Sequence, residues 1–154
     1  MARTETNTEI ESNLEVVLAT SSRIVSKAYA DLTGYDTAAA FTVTWDVRVR
    51  VFWVVWATAI TSTSWTTTLS VGTTESVAGI IAASTINNTQ FAATDVWTDS
   101  TPANDVEAMN SAWFIIGWGA DILFTRNVDD LTAWVLTLYC EWLPISTGAT
   151  LVAA

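Results

Sequence analysis

The run Asp46-Val47-Arg48-Val49-Arg50-Val51-Phe52-Trp53-Val54-Val55-Trp56 decides how this chain is read. Its β-branched and aromatic residues suit a pleated, half-buried surface, on which side chains alternate between two faces. The odd positions Val47, Val49, Val51, Trp53 and Val55 form one apolar row. The even positions begin polar, at Asp46, Arg48 and Arg50, and turn apolar at Phe52, Val54 and Trp56. A sheet with one face in water keeps one row polar throughout. A strand with two apolar faces needs two covers, and a second subunit is the simplest second cover.

Two further stretches share the pattern. Both rows of Ala112-Trp113-Phe114-Ile115-Ile116-Gly117-Trp118 are apolar. In 131–143 one row is Trp134, Leu136, Leu138, Cys140 and Trp142, and the other holds Val135, Tyr139 and Leu143. Exposed apolar patches of this extent mark interaction surfaces. The expected subunit-interface residues are therefore Phe52, Trp53, Trp56, Trp113, Trp118, Trp134, Tyr139 and Trp142, and the expected partner is a second copy of the chain.

Outward from these runs the strand pattern continues. Strands are expected over 14–20, 23–30, 40–45, 47–60, 65–71, 77–83, 91–97, 112–118, 121–126 and 131–143. Turn signals separate them at Thr33-Gly34, Val71-Gly72, Asn87-Asn88, 117–119 and 127–130. Short strands without helix-length crossovers predict an all-β fold, a jelly-roll-like antiparallel β-sandwich of about eight to ten strands. Residues 1–13, polar and aperiodic, read as an extended N-terminal arm, and 14–154 as one β-sandwich domain. One short helix is expected over 104–110, inside the widest non-strand segment, 98–110.

The chain has 154 residues, enough for one domain with a sizeable core, and 51% of them are apolar. No apolar run reaches the ~18–20 residues that span a bilayer as a helix. The start, Met1-Ala2-Arg3-Thr4-Glu5, lacks the basic and apolar regions of a secretory signal, so synthesis and residence in a cytoplasm are expected. Sixteen acids against six bases give a net charge of −10. Without clustered Lys and Arg, neither nucleic acid nor an anionic membrane is an expected partner. The acidity instead keeps an apolar particle soluble.

Catalytic chemistry finds little material. There is no histidine, which removes Ser-His-Asp and Cys-His nucleophiles and imidazole zinc ligands. The single cysteine, Cys140, cannot form an intrachain disulfide or a thiolate metal site and reads as a small buried hydrophobe. No Gly-rich phosphate loop occurs. The adjacent carboxylates Asp129 and Asp130 sit in a turn signal, where Asp is favoured for backbone reasons. The acidic stretch Asp95, Asp99, Asn104, Asp105 and Glu107 offers oxygen ligands to Ca²⁺ but matches no EF-hand and reads as a solvated loop. The sequon Asn87-Asn88-Thr89, without a signal peptide, reads as coincidence. No enzyme activity, metal or cofactor is expected.

Nine tryptophans remain to be explained. Flat indoles could stack on sugar rings, making a carbohydrate-binding module the alternative reading, with Trp97 beside the acidic loop as its best candidate. Most of the nine lie mid-strand among Val, Ile and Leu, which favours packing and subunit contact. The triplets at 42–44, 61–63 and 66–68 place threonines on outward strand faces and carry no coil-length repeat.

The ending Leu136-Thr137-Leu138-Tyr139-Cys140-Glu141-Trp142-Leu143-Pro144-Ile145-Ser146-Thr147-Gly148-Ala149-Thr150-Leu151-Val152-Ala153-Ala154 resembles that of many small virion proteins of tailed bacteriophages. Those proteins end in a long strand, an aromatic and Pro-Leu-Ser-like turn, then Gly-Ala and an apolar tail. The strand Phe41-Thr42-Val43-Thr44 leading into the Val-rich run resembles the start of the same domain. The resemblance spans about 37–154. Here the turn reads Leu143-Pro144-Ile145-Ser146, and residues 1–36 have no counterpart. It implies a capsid decoration, cement or head-fibre protein, often trimeric, on the outer surface of a virion. The partners implied are its own copies and the major capsid protein or other virion proteins. No catalytic residues are implied.

Overall fold

The computed structural model describes residues 22–30, 37–59, 61–62, 67–86, 92–98, 112–127, 131–132 and 135–154; at 30, 50–56, 61–62 and 131–132 it describes the backbone alone. Twelve strands occur among these residues. They are β1 (Arg23–Ala30), β2 (Thr37–Thr44), β3 (Val47–Thr58), β4 (Thr61–Ser62), β5 (Thr68–Gly72), β6 (Ile81–Thr85), β7 (Val96–Trp97), β8 (Phe114–Ile116), β9 (Ile122–Asn127), β10 (Leu131–Thr132), β11 (Val135–Pro144) and β12 (Thr150–Ala153). One sheet runs β1-β11-β3-β7, with β8 also pairing to β3; a second runs β12-β2-β9-β5-β6; β10 and β4 form a small ribbon. Every pairing is antiparallel. The chain is an all-β antiparallel sandwich, as its alternation predicts. Two-residue strands raise the count above the eight to ten expected. The strand expected over 14–20, the helix over 104–110 and the arm 1–13 lie outside the described residues.

One core lies between the sheets. Leu136, Leu138, Cys140 and Trp142 from β11, with Val47 and Val49 from β3, face Phe41, Val43, Leu69, Val71, Ile81, Ile122, Phe124 and Leu151. Phe41, Leu69, Ile81, Ile122 and Leu136 are fully enclosed. Each such side chain contributes roughly 1.5–3 kcal/mol on burial.

Side chains also tie the two sheets along both flanks. On one flank Tyr29 donates to the Ala39 carbonyl at 2.8 Å, and its ring stacks on Phe124. On the same flank Lys27 Nζ donates to the Ala154 carbonyl. On the other, Trp97 Nε1 of β7 donates to Ser84 Oγ of β6 at 2.8 Å.

The uninterrupted alternation expected of 46–56 does not hold in the backbone. Glu141 pairs with Val51 but Trp142 with Val49, so one extra residue of β3, Arg50, sits opposite that step. A bulge of this kind reverses the parity of a strand against its partner. An apolar run that changes rows is thus partly the signature of a bulged strand within a single chain.

Candidate functional site

Three connections meet at one end of the sandwich, and each carries the chain from one sheet to the other. They join β2 to β3, β8 to β9, and β11 to β12. Asp46 holds them together. Its backbone carbonyl accepts from Ile145 N at 3.0 Å and from Ser146 N at 3.3 Å. Its carboxylate accepts from Trp118 N at 3.1 Å and from Ser146 Oγ at 3.1 Å. Two of the connections turn through left-handed glycines, Gly119 at φ +77° and Gly148 at φ +78°, a conformation that costs an L side chain roughly 1–2 kcal/mol.

The third turns through a tryptophan. Trp45 has φ +62°. Phe41 and Val43 are buried, and plain alternation would send Trp45 inward after them; the left-handed backbone turns it out, leaving it 47% exposed. Its ring stacks on Trp118, with centroids 5.2 Å apart and planes 19° from parallel. Trp118 is 71% exposed. Two more exposed apolar residues belong to the same connections: Ile115 on β8, three residues before Trp118, and Ile145 after β11, whose N bonds to the Asp46 carbonyl. On β3 the Arg48 guanidinium lies 3.7 Å above the Trp113 ring in a cation–π contact.

The other residues expected at an interface fall in several places. Trp118 is exposed at the corner, while Trp113 and Tyr139 are half-buried. Trp142 is only 4% exposed, under the Arg23 guanidinium. It belongs to the chain's own core, because the row Leu136, Leu138, Cys140, Trp142 is the one facing the opposite sheet. That corrects its reading as an interface residue. Phe52, Trp53 and Trp56 pair by backbone with Cys140, Tyr139 and Leu136. Their side chains, and Trp134, lie outside the described residues.

Trp97, the best candidate for sugar stacking under the alternative reading, is fully buried and hydrogen-bonded inside the core. A ring with no free face cannot stack on a glycan, which corrects that reading. Asp95 is also buried, and its carboxylate accepts from Ala92 N at 2.8 Å, closing a tight turn. Asp99, Asn104, Asp105, Glu107, Asp129, Asp130 and the sequon 87–89 lie outside the described residues. Among those described, no three His, Cys, Asp or Glu side chains gather at one point. Cys140 is buried, as its sequence context predicts, and burial pushes its thiol pKa well up, with the Glu141 carboxylate adding to the rise. Burial likewise pushes the Tyr29 phenol up to about 12.

Sequence reasoning missed Trp45, Asp46, Ile115 and Ile145 as members of one surface. The only local signal is a Trp-Asp pair between two strand patterns, and parity argued against it.

No family model matches the sequence. No curated protein matches it either. Among solved structures, a chain of the acidic stable capsid structure of Helicobacter pylori bacteriophage KHP30 superposes with a TM-score of 0.55 at 9% identity, over 86% of this chain and 94% of that one. A chain of the cyanophage Pam1 capsid asymmetric unit covers 80% of this chain and 85% of its own length, with a TM-score of 0.47 and 15% identity. At 9% identity the likeness to the KHP30 chain is one of fold.

Proposed function

We propose that the protein is a non-enzymatic structural component of a bacteriophage particle. It acts as a decoration, cement or head-fibre protein on the outer capsid surface and contacts the major capsid protein or another virion protein. In this reading the sandwich is jelly-roll-like and forms a homo-oligomer, a trimer, through apolar, tryptophan-bearing faces. The fold likeness to the KHP30 capsid chain carries the proposal, because it extends over nearly the whole of both chains. The absence of histidine, the net charge of −10 and the exposed aromatic corner support it. Mechanism here means area: a permanent interface of roughly 2,000 Å² or more holds such an assembly.

Mass spectrometry of purified particles of the phage encoding this chain tests the reading. The chain is expected at a fixed ratio to the main shell protein. Intact particles lacking it would overturn the assignment.

A further inference from the structure

We infer that the Trp45–Trp118 corner, together with the exposed Ile115 and Ile145 of the adjoining segments, is the surface on which a second copy of this chain seats. The inference rests on the reading of the protein as a self-associating structural component, and adds which face does the associating.

Three observations carry it. The first is area. Trp118 is 71% and Trp45 47% exposed, and the two isoleucines are at least half exposed. Taking roughly 250 Å² for a whole indole, the two rings alone present about 300 Å². A standard interface needs about 800 Å² per partner, so the rings supply over a third before the isoleucines are added.

The second is charge. The chain carries −10 overall, so two copies repel over most of their surfaces. At this corner the described charged neighbours in the chain are Asp46, Arg48 and Asp121, two acids against one base. The Asp46 carboxylate is occupied by Trp118 N and Ser146 Oγ, and Arg48 is laid on Trp113. A basic partner would select a face rich in free carboxylates. A nearly neutral apolar face is where a like-charged copy can approach.

The third is preorganisation. Trp45 is held outward by a left-handed backbone that plain packing would avoid, and Asp46 locks the three connections beneath the rings. Rigid aromatic anchors lose little freedom on association, and retained backbone strain points to a functional surface.

Sedimentation velocity on the full-length chain, from 1 to 100 µM, tests this with Trp118→Ser and Ile115→Ser, each compared with Ile24→Ser. Ile24 is nearly as exposed but lies on β1, the edge strand of the sheet separated from β8 by β11 and β3. The expected result is an oligomer in the unsubstituted chain and in Ile24→Ser, with dissociation constants raised at least tenfold in both corner variants and far-UV spectra unchanged. Unchanged association in both corner variants, or an unsubstituted chain monomeric at 100 µM, would overturn the inference. Either outcome leaves the virion assignment standing wherever the chain is found in particles. Loss of association in the corner variants beside particles lacking the chain would separate the two claims the other way.

Discussion

Ser146 Oγ donates to the Asp46 carboxylate at 3.1 Å across 100 residues of chain. That bond closes the end of the sandwich, because Asp46 lies in the β2–β3 crossing between the sheets and Ser146 in the β11–β12 crossing. The same carboxylate takes Trp118 N, so one side chain fixes the corner that carries both exposed indoles.

Asp46→Ala removes acceptors from two donors at once. A charge-assisted hydrogen bond contributes about 1.5–3 kcal/mol, so a loss of that order is expected in chemical denaturation. Asp46→Asn keeps an acceptor for Trp118 N and a donor for Ser146 Oγ, and a smaller loss is expected. Equal losses in the two variants would mean that the carboxylate's bonds do not hold the corner.

The Trp45–Trp118 stack is separable from the backbone strain beneath it. A double-mutant cycle of Trp45→Ala and Trp118→Ala is expected to give a coupling of about 0.5–1.5 kcal/mol. Trp45→Gly should be more stable than Trp45→Ala by about 1 kcal/mol, since glycine adopts φ +62° without penalty. A glycine variant no more stable than the alanine variant would contradict the left-handed assignment.

Burial sets the chemistry of Cys140. A thiol enclosed in the core, its pKa raised by desolvation and then by Glu141, holds almost no thiolate at pH 8. No reaction with a disulfide reagent is expected in the folded protein, and one equivalent in guanidinium. Rapid labelling of the native chain would place the thiol outside the core.

Tyr29 makes stability fall in strong alkali. Its phenol ionises near 10 when unfolded and at about 12 when folded, so between those values the folded state holds the extra proton. Its contribution is complete below pH 10 and is lost as pH rises from 10 to 12. Tyr29→Phe should lose that part of the slope while also losing the bond to Ala39. Identical slopes for the two proteins would show the phenol to be solvated.

Much of the fold is legible in the sequence because alternation is a direct consequence of strand geometry. The residues of β1 were bounded correctly from pattern alone, and the even row of 136–142 is apolar because it is the core face. Two apolar rows do not say which one faces inward, so the sequence alone places Trp142 at an interface when it lies in the core. The alternative of Trp97 as a sugar-stacking residue fails because an acidic neighbour in sequence says nothing of the sheet that closes over it. β12 escapes the sequence pattern, since four residues with one buried side chain, Leu151, give no period to detect. The corner was illegible because it depends on one backbone angle, at Trp45, and on hydrogen bonds between distant segments.

The most direct test of the account is a single-particle reconstruction of the phage particle at a resolution that traces side chains. The expected map has this sandwich on the outer face of the shell, in clustered copies whose Trp45 and Trp118 rings are covered by a neighbouring copy. Particles without the chain, or solitary copies whose tryptophan corner faces solvent, would contradict it.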